Sequence, residues 1–240
     1  MRVELEEALE VISRLRGEGA RVHSITNTVA QNFTANVLLA CGAIPSMTVN
    51  PDEVEAFTRC ADSLHINLGT LDPSRINAIG KSLHIANTEN KPVLLDPVMA
   101  NVSQLRAELA KAQIDQISIL RGNSEEIVSI DLDQETQLCI VETGGTDSIK
   151  YKSSTLHVRN GHPMMAKVIA TGCALGALIS TLSAKTSKSE IASLAGLVWF
   201  GVAGEIAAEK AAGPGNFAPA FLDCLHAVTI DELREKARVK

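Results

Sequence analysis

Residues 20–47 read Ala20-Arg-Val-His-Ser-Ile-Thr-Asn-Thr-Val-Ala-Gln-Asn-Phe-Thr-Ala-Asn-Val-Leu-Leu-Ala-Cys-Gly-Ala-Ile-Pro-Ser-Met47. The apolar run Val22–Ile25 predicts a strand, and Ile44–Met47 predicts a second. Between them Val29, Phe33 and Val37 recur at i, i+4 and i+8, one stripe of a helix over Val29–Ala40. Strand, helix and strand in this order imply parallel strands with the helix packed on the sheet.

The same alternation continues outward. Leu64–Leu68, Val93–Leu95, Ile117–Leu120 and Leu138–Val141 read as strands. Asp52–Ala61, Ser74–Asn87, Val102–Lys111 and Ser124–Val128 read as helices, and Pro51-Asp52-Glu53 suits a helix first turn. Beyond residue 146, Ser148–Tyr151 and Leu156–Arg159 predict a hairpin around Lys152–Thr155. From Thr171 almost everything reads as helix, ending with Ile230–Lys240. No linker or repeat interrupts the chain, so the expectation is one α/β domain over 1–240, a mainly parallel central sheet with helices on both faces.

The balance of charge narrows the function. Net charge is −6, with 22 Lys+Arg against 28 Asp+Glu and no basic block, which argues against nucleic acid as a partner. One Trp, one Tyr and five Phe offer no base-stacking surface. The opening MRVELEEALEVISRLRGEG mixes acidic and apolar residues and reads as a helix rather than a signal peptide. The uncharged stretches Val168–Ala184 and Ile191–Gly204 are short of the roughly 20 strongly apolar residues of a spanning helix and rich in Ala, Gly, Ser and Thr. They read as buried helices, and the expected location is cytoplasmic. The five scattered cysteines lack zinc-ligand spacing and read as free thiols of a reducing compartment.

An open α/β sheet binds ligands beyond the carboxyl ends of its strands. The loops there begin at Thr26-Asn27, Thr48, Gly69-Thr70, Asp96-Pro97, Arg121-Gly-Asn123 and Thr143-Gly-Gly145. Further on, Lys167-Val-Ile-Ala-Thr-Gly-Cys-Ala-Leu-Gly176 places Ala170-Thr171-Gly172 before a long apolar helix. A helix start offers free N–H groups and partial positive charge to an oxyanion or phosphate. Cys173 falls in the first turn, where the dipole lowers a thiol pKa. Tight packing explains Gly172 and Cys173 equally well. Arg121 can grip a phosphate, and Asp96 or the Glu125-Glu126 pair can serve Mg²⁺ directly or through water. A turn with acidic helix-start residues accounts for Asn123 and Glu125, but not for an arginine ending an apolar strand. His23 and His162 are candidate bases or plain hydrogen-bonders, and a Cys173–His162 nucleophilic pair is conceivable. Neither GxxxxGK[ST] nor GxGxxG is present.

Taken in order, the motifs form a set. His23-Ser-Ile-Thr-Asn-Thr-Val-Ala-Gln-Asn-Phe-Thr-Ala-Asn36 is followed by Gly42-Ala43, Pro45-Ser-Met47, Asn67-Leu-Gly-Thr70 and Leu95-Asp-Pro-Val98. Then come Arg121-Gly-Asn123 with Glu126-Ile127, Glu142-Thr-Gly144, Asn160-Gly-His162, Lys167-Val168, Thr171-Gly-Cys173 and Gly213-Pro-Gly-Asn-Phe217. This set resembles the hydroxyethylthiazole kinase family of the ribokinase-like superfamily. The resemblance implies ATP-dependent, Mg²⁺-assisted phosphorylation of the primary alcohol of 4-methyl-5-(2-hydroxyethyl)thiazole in thiamine salvage. It also implies a homotrimer with three active sites at subunit interfaces. By the same resemblance Arg121 and Thr143 contact ATP, while Asp96 and Glu126 lie around the phosphates and metal. Met47 lines the thiazole pocket with Asn27 and Ala170 nearby. Ala170, Thr171, Gly172 and Cys173 form the anion hole, with Cys173 where many superfamily members carry a catalytic Asp.

Three departures stand out. Met99-Ala-Asn-Val102 replaces a Gly-Ala-Gly-Ala run, Ala170 replaces a Gly, and Val128–Gln137 is shorter than the family's stretch there, by about one outer helix. Two rivals remain at this stage: a thiazole- or nucleotide-binding homologue without turnover, and a cysteine hydrolase built on Cys173.

Overall fold

A computed structural model describes residues 2–132 and 137–240. The order is α1 (Arg2–Glu18), β1 (Arg21–Ile25), α2 (Gln31–Ala40), β2 (Ile44–Ser46), α3 (Val54–Cys60), β3 (Ser63–Asn67), α4 (Pro73–Thr88) and β4 (Val93–Asp96). It continues with α5 (Gln104–Lys111), β5 (Ile119–Asn123), α6 (Ser124–Ser129), β6 (Cys139–Thr143), β7 (Asp147–Tyr151) and β8 (Ser154–Val158). Four helices close the chain: α7 (Thr171–Ser183), α8 (Ser189–Lys210), α9 (Pro214–Ala227) and α10 (Ile230–Lys236).

The strands form one sheet in the order β2-β1-β3-β4-β5-β6-β7-β8. Pairing is parallel from β2 through β6, and β7 and β8 add an antiparallel hairpin. Strands buried on both faces read as unbroken apolar runs, which is why they were visible in the sequence. One face packs on α1, α2 and α7 to α10 through residues such as Val22, Leu94, Ile119 and Val141. The other packs on α3 to α6 through Ile25, Leu64, Ile66, Leu95 and Leu120. Helix α8 is long and apolar enough to cross a membrane, but 83 % of its apolar window is buried in the fold. Small residues allow that burial: Gly196 lies so close to Ile179 of α7 that no β-carbon fits.

Several expected boundaries shift for local reasons. Val29 is 57 % exposed and lies outside α2. The Asn27 carboxamide accepts from the Ala30 N–H at 2.9 Å, making a turn before the helix, and the buried stripe is Ala30, Thr34 and Val37. Pro51–Glu53 is likewise a turn before α3, and Val102 is exposed ahead of α5. A 3-10 turn at Ile114–Gln116 delays β5 to Ile119, so Arg121 sits inside the strand rather than after it. The β7–β8 hairpin closes through Lys152-Ser153 alone, with Lys152 at φ 52°, the left-handed geometry of a two-residue hairpin turn. The last helix stops at Lys236, after which Val239 bridges Val158 of β8. Of the shortened Val128–Gln137 stretch, residues 133–136 lie outside the described residues, as does Met1.

Candidate active site

The order β2-β1-β3 reverses direction at β1, so the crevice expected for a ligand opens beyond the carboxyl ends of β1 and β3. Helix α7 packs on β1, β3 and β4 with its N-terminus over these ends. Asn27, just past β1, donates through Nδ2 to Asn67 Oδ1 at 3.1 Å and to Cys173 Sγ at 3.3 Å. Asn67 Oδ1 also accepts from the Gly69 N–H at 3.0 Å, and a β-carbon at Gly69 would sit 2.6 Å from that of Asn27. The two loops are thereby pinned together against the first turn of α7.

The next strands supply charge. Asp96 ends β4 fully buried; its Oδ2 accepts from Arg121 Nη1 at 3.2 Å and its Oδ1 has no hydrogen-bond partner. Burial pushes the Asp96 carboxyl up to about 6, against the opposing pull of Arg121 and with Glu126 adding to the rise. Arg121 on β5 spans to β6, donating from Nη2 to Thr143 Oγ1 at 2.9 Å. Its guanidinium also lies under α7, where a β-carbon at Gly172 would come within 3.2 Å of Nη1. Beside this group opens a cavity of about 420 Å³, lined by Arg121, Thr143, Gly161, His162, Thr171 and Gly172.

Helix α7 begins after Ala170, which adopts φ 70°, a left-handed conformation that a Cβ disfavours. Met99, in the loop after β4, is also left-handed at φ 59°. Cys173 is the third residue of α7. Burial and the Asp96 carboxylate push its thiol up, with the Asn27 bond opposing, so the lowering expected from the helix dipole is overruled. Glu126 is buried and holds the Asn123–Glu126 capping box: its Oε2 accepts from Asn123 N–H at 2.9 Å and its Oε1 from Met99 N–H at 2.8 Å. It ties the loop after β4 to α6 while staying close enough to Asp96 to raise that carboxyl.

Other candidates fall elsewhere. Met47 packs half-buried against the core just past β2, separated from Asp96 by β1 and β3. His23 is buried, shares a 2.9 Å hydrogen bond with Ser46 Oγ and stacks near Phe57, and burial pushes it down to about 4. His162 lines the cavity but uses Nδ1 to accept from the Met164 N–H at 3.2 Å; Cys173 pairs with Asn27 instead of with it. Asn67 and Asp147 join the site without a residue-level signal in the sequence. Asn67 stood inside the Asn67–Thr70 motif, and Asp147, whose Oδ1 accepts from Gly144 N–H at 2.9 Å, carried no signal beyond following a glycine pair.

Among the described residues no three His, Cys, Asp or Glu side chains cluster as a metal cage. Asp96 with Glu126 close by fits Mg²⁺ all the same, because Mg²⁺ is commonly held by one or two carboxylates together with substrate phosphates. The unpartnered, fully buried Asp96 Oδ1 is the oxygen available to it.

Comparison with known proteins points one way. The chain matches the profile described as the Hydroxyethylthiazole kinase family over residues 12–134 and 130–231. It is 39 % identical to a probable hydroxyethylthiazole kinase of Agrobacterium fabrum, covering 97 % of this chain and 94 % of that one. It is 37 % identical to the hydroxyethylthiazole kinase of Granulibacter bethesdensis, with the same coverage. The solved hydroxyethylthiazole kinase protein of Pyrococcus horikoshii superposes with a TM-score of 0.92 at 32 % identity, over 98 % of both chains. Bacillus subtilis pyridoxal kinase, at 13 % identity and a TM-score of 0.58, covers 78 % of this chain and 92 % of its own and shares the fold alone. Fold, ordered motifs and relatives agree: the chain belongs to the hydroxyethylthiazole kinase family.

Proposed function

We propose that this protein transfers the terminal phosphoryl group of ATP to the hydroxyl of 4-methyl-5-(2-hydroxyethyl)thiazole, the step that feeds thiamine synthesis from salvaged thiazole. The observation that carries the reading is the convergence of Arg121 and the α7 N-terminus on one cavity, with Gly172 allowing their contact. Phosphoryl transfer asks a protein mainly to position the partners and stabilise charge.

In this reading Arg121 and Thr143 hold the nucleotide phosphates, and the N–H groups of Thr171, Gly172 and Cys173 stabilise charge on the group in transit. Mg²⁺, when bound, neutralises phosphate charge. Asp96 and Glu126 would be the residues to hold it, Glu126 by way of water because its two oxygens already accept from backbone N–H groups. Asn27 orients the Cys173 sulfur, and the thiolate form of Cys173 takes the proton of the thiazole alcohol, becoming the thiol. Met47 and Ala170 border the thiazole.

The same reading makes the active unit a homotrimer with sites at subunit interfaces. Its support is the β2 edge, where Ile44 and Phe57 are 49 % and 40 % exposed beside a hollow of about 430 Å³. An unpaired apolar edge is a surface that proteins normally cover. A coupled assay with ATP, Mg²⁺ and the thiazole alcohol tests the activity, and formation of the thiazole phosphate is the expected result. Thiazole binding in calorimetry without ATP consumption would select a binding homologue instead.

A further inference from the structure

Helix α8 carries glycines at 201 and 204, and a glycine inside a helix costs about 1 kcal/mol relative to alanine. Both positions meet the wall of the nucleotide cavity. A β-carbon at Gly201 would lie 2.6 Å from Asn160 Cβ, and at Gly204 it would collide with Met165 of the 3-10 turn Pro163–Lys167. Asn160, Gly161, His162 and Met165 all line that cavity. One turn from Gly201, on the same face of α8, stands Glu205.

Glu205 Oε1 accepts from the Gly161 N–H at 2.7 Å, at a residue whose φ of 134° only glycine adopts readily. Both its oxygens accept from Asn160 Nδ2 at 3.3 Å, and Oε1 pairs with the Arg238 guanidinium. The segment after α10 completes the bracket. Asn160 Nδ2 donates to Lys236 O at 2.9 Å, and Asn160 Oδ1 accepts from Arg238 N–H at 2.7 Å. Backbone bonds join His157 to Lys240 in both directions and run from Arg159 N–H to Arg238 O at 3.0 Å. Arg238 Nη2 also donates to Arg159 O at 2.8 Å. Asn160 is buried, with its carboxamide used on both sides.

We propose that Glu205, together with residues 237–240, is a positioning device for nucleotide binding. It fixes Asn160-Gly161-His162 in the conformation that keeps the cavity open beside Arg121. The proposal rests on the assignment of this cavity to the nucleotide. Glu205 acts through the Gly161 N–H and touches no substrate.

The test compares the parent chain with Glu205→Ala, Glu205→Gln and a chain ending at Lys236. Readouts are calorimetric affinity for a non-hydrolysable ATP analogue with Mg²⁺, KM for the thiazole alcohol, and hydrogen exchange over residues 157–165. Losing a charge-assisted hydrogen bond of this kind predicts about tenfold weaker nucleotide binding in Glu205→Ala. Thiazole KM stays within about twofold, and the Gly161 amide exchanges faster. Glu205→Gln recovers most of the affinity because its amide oxygen still accepts from Gly161 N–H, and the shortened chain falls between. If a folded Glu205→Ala binds nucleotide like the parent, or loses thiazole and nucleotide affinity alike, the device is refuted while the nucleotide assignment stands. If the parent binds no nucleotide, the assignment itself fails and the proposal with it.

Discussion

Gly172 and Arg121 are packed against one another, and a β-carbon at position 172 would lie 3.2 Å from Arg121 Nη1 and 3.3 Å from Nη2. On an exposed helix, glycine to alanine adds up to about 1 kcal/mol. Here the same change forces the guanidinium aside by a few tenths of an ångström. Gly172→Ala is therefore expected to leave Tm nearly unchanged while weakening ATP affinity about tenfold, since charge-assisted contacts are sensitive to geometry. Paired melting and calorimetry check it, and a loss of stability with intact affinity would contradict it.

Arg121→Lys follows from the same contact. The guanidinium serves Asp96 and Thr143 from two separate nitrogens, a planar fork that an ammonium cannot reproduce. Apparent ATP affinity is expected to fall with little change in Tm. A large Tm drop with unchanged ATP binding would make Arg121 a structural residue.

Ala170 is held at φ 70°, where a Cβ costs about 1–2 kcal/mol. Glycine relieves that strain and returns about 0.4–1 kcal/mol of it as unfolded-chain entropy. Ala170→Gly should therefore raise Tm by about 1–4 °C for a chain of this size. Met99→Gly, at φ 59°, should act in the same direction. A drop in Tm for Ala170→Gly would mean that the methyl group packs more favourably than its backbone geometry implies.

The buried histidines set an acid limit on stability. His23 is pushed down to about 4 and His65 to about 3, both chiefly by burial. Each stays neutral in the fold while the unfolded chain takes a proton near 6.5, so their contribution is complete above 6.5 and is lost as pH falls. Asp96, raised to about 6, works in the opposite sense: it costs stability above 6, and the cost is relieved toward 3.8. Between pH 6 and 4 the unfolded chain holds one proton more for these three groups, which together should add about 1.4 kcal/mol per unit to the rise of stability with pH. Urea titrations across that range measure the slope, and His65→Gln should flatten it. A slope that is unchanged in the variant would be inconsistent with a neutral His65.

What the sequence revealed and what it concealed have physical reasons. Parallel strands buried on both faces are apolar throughout, so Val22–Ile25 and Val93–Leu95 were visible, and strand ends such as Asp96 followed from them. Local side-chain chemistry was less visible. Asn27 delays α2 with its own carboxamide, and Glu126 spends both oxygens on backbone N–H groups, neither of which shows in an apolar pattern. Pairings distant in sequence left no trace. Asn160 meets Glu205 across 45 residues and Arg238 across 78. The direction of the Cys173 shift also depended on burial and on Asp96, which the helix position alone does not contain.

Cys173 gives the most direct measurement of the central claim, that the alcohol gives its proton to Cys173 as it is phosphorylated at the α7 N-terminus. Its thiol is raised and therefore protonated at neutral pH, so as a base it should make kcat climb as pH rises toward the thiol range. The measurement is kcat against pH for the parent, Cys173→Ala and Cys173→Asp, with ATP and thiazole affinities determined alongside. Cys173→Ala should bind both ligands nearly normally and lose roughly 10²- to 10³-fold in kcat, near the usual scale for a positioned base. Cys173→Asp should keep substantial activity, because a short carboxylate can accept the same proton, and its profile should flatten above neutral pH. If both variants bind and turn over like the parent, with the same pH profile, Cys173 is a packing residue and the assignment of proton transfer to it is wrong.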